Sequence, residues 1–258
     1  LMLRQPPRST QSSSSAASDL YKRQLLNGEP RLIISGLDLK VRDGVFLSIV
    51  GSSGCGKSTL LGLLAGITRP DKGRITLRGE DITGKSGMLG YMPQEDLLFP
   101  WLNVLENALI PVRVRNGDLK TALGKLHQLL PVFGLQDHAK HLPYQLSGGL
   151  RQRTALLRTC MMETPLLLLD EPFANLDAIT RLQLQEWLSE ITRELKLTVI
   201  LVTHDIDEAI RLSDEIHLMQ GQPGNFVKRF ELNEETKADE KLRIGLKKDI
   251  IDLVKSTL

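Results

Sequence analysis

Apolar and polar positions change period repeatedly along this chain. Residues 31–41 alternate, as a half-buried strand does, and a second apolar run from Gly44 ends at Val50. Helical spacing follows over 57–65 and stops at Gly66. Short strands are predicted at 73–78 and 87–92, and helices at 102–110, 119–132 and 148–162. A strand over 165–170, a helix over 180–195, a strand over 198–203, a short helix over 206–212 and a last apolar strand over 215–219 complete the pattern. Strands that alternate with helices predict an α/β architecture with a mainly parallel sheet. The helical block, about residues 95–162, interrupts that alternation and predicts a helical subdomain inserted in the α/β core.

Residues 1–24 stand apart. Arg8 to Asp19 is polar, low in complexity and without apolar periodicity, so disorder is the expected state. There is no apolar h-region, which excludes a secretory signal. The leader also resembles translated cloning or adapter sequence rather than native protein. The expected organisation is a leader over 1–24, a core over 25–232 and a helical tail over 233–258.

Composition narrows the picture. The 33 Lys and Arg residues nearly balance the 31 Asp and Glu, a net charge of +2, which gives no sign of nucleic-acid binding. Two cysteines, Cys55 and Cys160, make no disulfide framework and suit a reducing compartment. The longest apolar run, 165–169, falls far short of the ~20 residues of a membrane span. A soluble chain is expected, one that reaches a membrane only through a partner.

Two stretches carry chemistry. Gly51-Ser52-Ser53-Gly54-Cys55-Gly56-Lys57-Ser58-Thr59 lies between an apolar strand and a helix and fits G-x-x-x-x-G-K-[ST]. Its glycines let backbone N–H groups face a phosphate chain, and the helix N-terminus adds partial positive charge. Lys57 is expected to reach the β- and γ-phosphates and Ser58 to hold Mg²⁺. The second stretch, 166–170, is an apolar strand ending in Asp170 and followed by Glu171. Ligands bind at the C-terminal edge of such sheets, so Asp170 is a candidate Mg²⁺ ligand and Glu171 a candidate to polarise an attacking water. Leu146-Ser147-Gly148-Gly149-Leu150 opens a further helix with Ser147 as N-cap. It is a second anion-binding helix end in a chain whose first already serves one nucleotide.

Together these stretches resemble the nucleotide-binding subunits of ABC transporters, over about residues 29–231. In that resemblance Gly51 to Thr59 is the Walker A loop, 166–170 Walker B and Glu171 the catalytic glutamate. Gln94 is the Q-loop glutamine, which also reaches the metal. Ser147, Gly148 and Gly149 form the signature motif, Asn175-Leu176-Asp177 the D-loop and His204 the switch histidine. The fold implied is an ABC-type P-loop ATPase core with an antiparallel β edge and the inserted helical subdomain. The activity implied is Mg²⁺-dependent ATP hydrolysis that drives transport. The partners implied are membrane permease subunits, a second ATPase subunit in a homodimer and an extracellular substrate-binding protein, with the chain peripheral on the cytoplasmic face. Residues 86–107 and Gly221-Gln222-Pro223-Gly224 are similar to the importer branch for nitrate, sulfonate and taurine, features shared by vitamin-precursor importers. A soluble ABC ATPase and an exporter subunit are the alternatives. The sequence departs from the family at Leu150, where glutamine is commoner. It also has Leu25 and Leu26 where an aromatic residue would stack on adenine, with Tyr21 the nearest aromatic.

Overall fold

A computed structural model describes residues 13–26 and 29–256. The strands are β1 (Ser13–Leu26), β2 (Glu29–Arg42), β3 (Phe46–Val50), β4 (Lys72–Leu77), β5 (Glu80–Asp81), β6 (Gly90–Met92), β7 (Leu166–Asp170), β8 (Thr198–Thr203), β9 (Glu215–Gln220) and β10 (Asn225–Glu231). The helices are α1 (Lys57–Leu64), α2 (Val104–Val114), α3 (Leu119–Val132), α4 (Gly148–Cys160), α5 (Ala178–Glu194), α6 (Ile206–Leu212), α7 (Glu234–Ala238) and α8 (Glu240–Ser256). One sheet is antiparallel in the order β2-β1-β4-β5, and the other runs β10-β9-β3-β8-β7-β6. In the second, β9, β3, β8, β7 and β6 are parallel and β10 is antiparallel to β9.

The apolar runs of β3, β7 and β8 are buried at every position because both sheet faces are covered. Alternation then assigns each residue to a layer. Leu166 and Leu168 meet α1, which lies between the two sheets among Leu20, Leu37, Leu39 and Ile75. Leu167 and Leu169 meet the opposite layer, with Leu184, Leu188 and Ile191 of α5 and the helical subdomain. That subdomain is α2, α3 and α4, and Asn103 starts α2 through a reciprocal capping box with Glu106. The C-terminal α8 closes a third cluster through Ile250 against Ala209, Ile210 and Leu218. Among the described residues, no helix is long and apolar enough to cross a membrane.

The expectation of disorder does not hold for residues 13–24 of the leader. Residues 1–12 lie outside the described residues, but 13–24 belong to β1. That strand pairs with β2 (Ala17 opposite Leu39) and β4 (Ala17 opposite Ile75). Register irregularities hide it from a period-2 reading. The register shifts between Ala17 and Leu20, with Asp19 at φ 48°, so the buried pair Ala17 and Leu20 stands three apart instead of two. The backbone ladder to two neighbours supplies what the side chains do not advertise. The final strand β10 is a second addition, since its mostly exposed residues leave only Phe226 and Phe230 half-buried.

Candidate functional site

Strand β3 leads straight into the glycine loop, and α1 leaves it at Lys57. Gly56 stands at the N-cap with φ 101°, which is strained for any L-residue. No side chain caps this helix, so its first N–H groups are free for an anion. The Lys57 ammonium folds over the loop and donates to the carbonyl oxygens of Gly51 (2.8 Å) and Ser52 (3.0 Å).

Alternation along β7 puts Asp170 on the α1 face, like Leu166 and Leu168. Its Oδ1 accepts from Ser58 Oγ at 3.4 Å, and its Oδ2 from the Tyr91 hydroxyl at 3.4 Å. Burial pushes the Asp170 carboxyl upward, which the Ser58 hydrogen bond opposes and the charge of Glu171 reinforces. Burial and the Asp170 carboxylate push the Tyr91 phenol up to about 12, so it stays a donor at neutral pH. Glu171 leaves the strand in the left-handed region (φ 45°), its N–H tied to Val202 O at 2.9 Å. This turn brings Glu171 Oε1 to 3.1 Å from Nδ1 of His204, just beyond β8.

Lys57, Ser58, Glu171 and His204 share one cleft of about 760 Å³, while Asp170 is buried behind Ser58 and, like Gly51, does not line it. Ser53, Gly54, Gly56, Lys57, Ser58, Thr59, Gln94, Glu171 and His204 line it. Ser52 and Cys55 face a separate hollow of about 310 Å³ behind the loop, bounded by Gln220, Gly221, Gln222 and Val254. Burial raises the Cys55 thiol, as suits a small buried filler.

Ser147, Gly148, Gly149 and Asp177 do not line the cleft. Ser147 is exposed at the start of α4, where its hydroxyl accepts from Leu150 N at 3.3 Å. Asp177 caps α5 by accepting from Thr180 N at 3.0 Å, and its hydrogen bonds with Thr180 lower its pKa. A Cβ added at Gly148 would lie 3.0 Å from Leu176, and one at Gly149 would lie 3.0 Å from Thr180, so the two motifs are pressed together.

Three residues in the cleft were not legible in the sequence: Gln24, Ile33 and Gln222. The Tyr21 hydroxyl instead lies over Gly36, where a Cβ would meet it at 3.2 Å. The side chains of Leu25 and Leu26 lie outside the described residues. Beside the cleft, Arg31 donates to Gln222 Oε1 at 2.5 Å.

The segment after Gln94 is anchored on α4. Arg151 pairs with Asp96 at 3.2 Å, and Arg158 donates to the carbonyls of Asp96 and Leu97 at 2.6 and 2.7 Å. Asn107 fastens the far end, accepting from Phe99 N and donating to the carbonyls of Leu102 and Asn103. Leu98 is buried, whereas Leu97, Phe99 and Trp101 are exposed, Trp101 by 69%.

Known proteins are similar to this chain in sequence and fold. Residues 34–174 match the family model described as ABC transporter. The chain is 41% identical over 202 residues to the taurine import ATP-binding protein TauB of Pseudomonas aeruginosa, covering 78% of this chain and 77% of that one. It is 41% identical over 196 residues to the aliphatic sulfonates import ATP-binding protein SsuB of Bacillus licheniformis, covering 76% of each. Among solved structures, a dimeric post-hydrolysis state of an ATP-binding cassette bound to ADP and Pi superposes with a TM-score of 0.71 at 27% identity, covering 85% of this chain and 99% of that one.

Proposed function

The chain belongs to the ABC transporter family, and on that premise we propose that it is the ATP-binding and ATP-hydrolysing subunit of an importer for a small organic ion. The observation that carries the ATPase reading is the Glu171–His204 pair, 3.1 Å apart, in the same cleft as Lys57 and Ser58. Loop amides and Lys57 bind the phosphate chain. Glu171 takes the proton of the attacking water at its carboxylate, and His204 orients that carboxylate. The donors suit Mg²⁺. The Ser58 hydroxyl, the buried Asp170 carboxylate beside it and the Gln94 amide are the hard oxygen ligands this ion prefers. Bound there, Mg²⁺ would neutralise charge on the phosphate oxygens.

Ser147, Gly148, Gly149 and Asp177 lie outside this cleft, which supports a composite site. The signature end of α4 from a second copy would close over the nucleotide held by the first, in a homodimer. The exposed Leu97, Phe99 and Trp101 make a docking face for the membrane permease. Asp96, Arg151 and Arg158 tie that face to α4 and so to Ser147. The resulting assembly sits at the cytoplasmic face of the cell membrane and takes its cargo from an extracellular binding protein. Kinship with taurine and sulfonate import proteins favours a small organic anion as cargo, with nitrate and vitamin precursors as neighbouring chemistries. This rests on analogy, because no ATPase residue touches the cargo.

Glu171→Gln keeps the shape and removes the basic oxygen. ATP should still bind and drive dimerisation, while turnover falls by a factor on the order of 10² or more. Adding Ser147→Arg should abolish the dimer and leave monomer nucleotide binding intact. Normal turnover in Glu171→Gln would refute the base, and equal loss of both bindings in the double variant would refute the composite site. Uptake assays of taurine, sulfonates, nitrate and thiamin precursors in a deletion strain test the cargo, and unchanged uptake of all of them removes that claim.

A further inference from the structure

We propose that His138 and His141 form a chelating pair for a divalent transition metal, separate from the nucleotide cleft and with the geometry of Ni²⁺ or Cu²⁺. Their Nδ1 atoms face each other at 3.0 Å, with ring centroids 5.1 Å apart and planes tilted by 52°. Imidazole nitrogens bind such metals at roughly 2.0–2.1 Å. Two of them 3.0 Å apart therefore subtend an angle of about 91–97° at the ion. That is the cis angle of tetragonal or octahedral coordination, which Cu²⁺ and Ni²⁺ favour. Tetrahedral Zn²⁺ would want the nitrogens at about 3.3–3.4 Å.

The backbone holds the two residues side by side before any ion arrives, and their Nδ1 atoms rest at the distance of a shared hydrogen bond. His138 ends a 3-10 turn (Gln136–His138), its N–H bonded to Leu135 O at 3.0 Å, and His141 N donates to His138 O at 2.8 Å. Both side chains are half-buried, which limits their rotation. Among the described residues, no group of three or more His, Cys, Asp or Glu side chains could hold a metal, so the proposed site has these two nitrogens as its protein ligands.

The pair's position gives an ion structural leverage. The carbonyls of Ala139 and His141 accept from Leu105 and Val104 at 3.1 Å each, holding the first turn of α2. The chain then runs directly through Leu142 to the Ser147 cap of α4. An ion bridging the two rings would clamp the segment that joins α3 to the signature helix.

The test uses the full chain with Mg²⁺ present and Ni²⁺ alone as probe, since Ni²⁺ leaves the Cys55 and Cys160 thiols unoxidised. The thermal midpoint should rise by about 5–10 °C once Ni²⁺ exceeds its dissociation constant about a hundredfold. The rise should vanish in His138→Gln and in His141→Gln, and persist in His127→Gln on exposed α3. Amide exchange at Val104 and Leu105 should slow on metal addition. Electron paramagnetic resonance of added Cu²⁺, as a second probe, should show two nitrogen ligands on the unaltered chain and lose one of them in either variant. No shift, a shift that survives either substitution, or Zn²⁺ binding tenfold tighter than Ni²⁺ would overturn the proposal. In that case the rings merely share a hydrogen bond.

Discussion

Gly224→Ala tests how the phosphate loop is held from behind. Gly224 bonds across to the strand β2, donating to Ile33 O at 2.8 Å and accepting from Ser35 N at 3.4 Å. A Cβ there would stand 1.9 Å from the carbonyl oxygen of Cys55 and 2.8 Å from Met219 Cε. The methionine end can swing away, but the Cys55 carbonyl is loop backbone between Gly54 and Gly56. To reach even a tight contact of about 3.0 Å, loop or neighbour must retreat by about 1 Å. Overpacking of this kind costs about 1–3 kcal/mol. Loss of the two cross-links would add about 0.5–1.5 kcal/mol each. Typical domains have 5–15 kcal/mol to lose, so the variant should still fold. Function should suffer more than stability, because a shift of ~1 Å in a positioning group can cost on the order of 10² in rate. We expect kcat/KM for ATP to fall about a hundredfold and the urea midpoint to drop modestly. Gly124→Ala is the control: it adds a methyl group to open space on the exposed face of α3 and should add up to about 1 kcal/mol with unchanged turnover. ATP hydrolysis at the parental rate in Gly224→Ala would show that the loop is not positioned by this contact.

Three further outcomes follow from particular residues. Gln24→Trp places an aromatic face in the cleft where a polar side chain now stands, and should tighten ATP by up to about tenfold, or ~1.4 kcal/mol, in a nucleotide titration; unchanged affinity would show that the base lies elsewhere. Trp101→Ala removes an exposed ring that stacks edge-on against Phe99 at 5.4 Å, so permease association should weaken while the isolated subunit keeps its ATPase rate; unaltered co-purification would exclude this face. His217 is buried against Phe226, and burial lowers its pKa from 6.5, against the raising effect of Glu215. Unfolding therefore takes up a proton there, so this residue's contribution to stability is complete above about pH 6.5 and declines as pH falls below it. His217→Gln should flatten the fall in thermal midpoint between about pH 7 and pH 5.5, and parallel curves for both proteins would refute that.

Much of the site was legible in the sequence because its chemistry lies on consecutive residues. Gly51 to Thr59 forms one continuous stretch from the end of β3 into α1, so its spacing alone picks out the candidate loop. Asp170 and Glu171 were likewise readable, since a buried parallel strand is apolar throughout and its first carboxylate marks the sheet edge. Tertiary structure decided the rest. It turned Ser52 and Cys55 away from the cleft that Lys57 and Ser58 line, because one short loop has two sides and its sequence does not say which is which. Gln24, Ile33 and Gln222 came to that cleft from distant stretches, brought there by β1, β2 and the turn before β10. Strand β1 itself escaped the pattern because backbone hydrogen bonds to β2 and β4 do not depend on side-chain type, and a bulge moved its buried residues off the period of two. The approach of His138 to His141 belongs to the same class. Three residues of separation permit it, but only the turn between α3 and α4 brings the two Nδ1 atoms together.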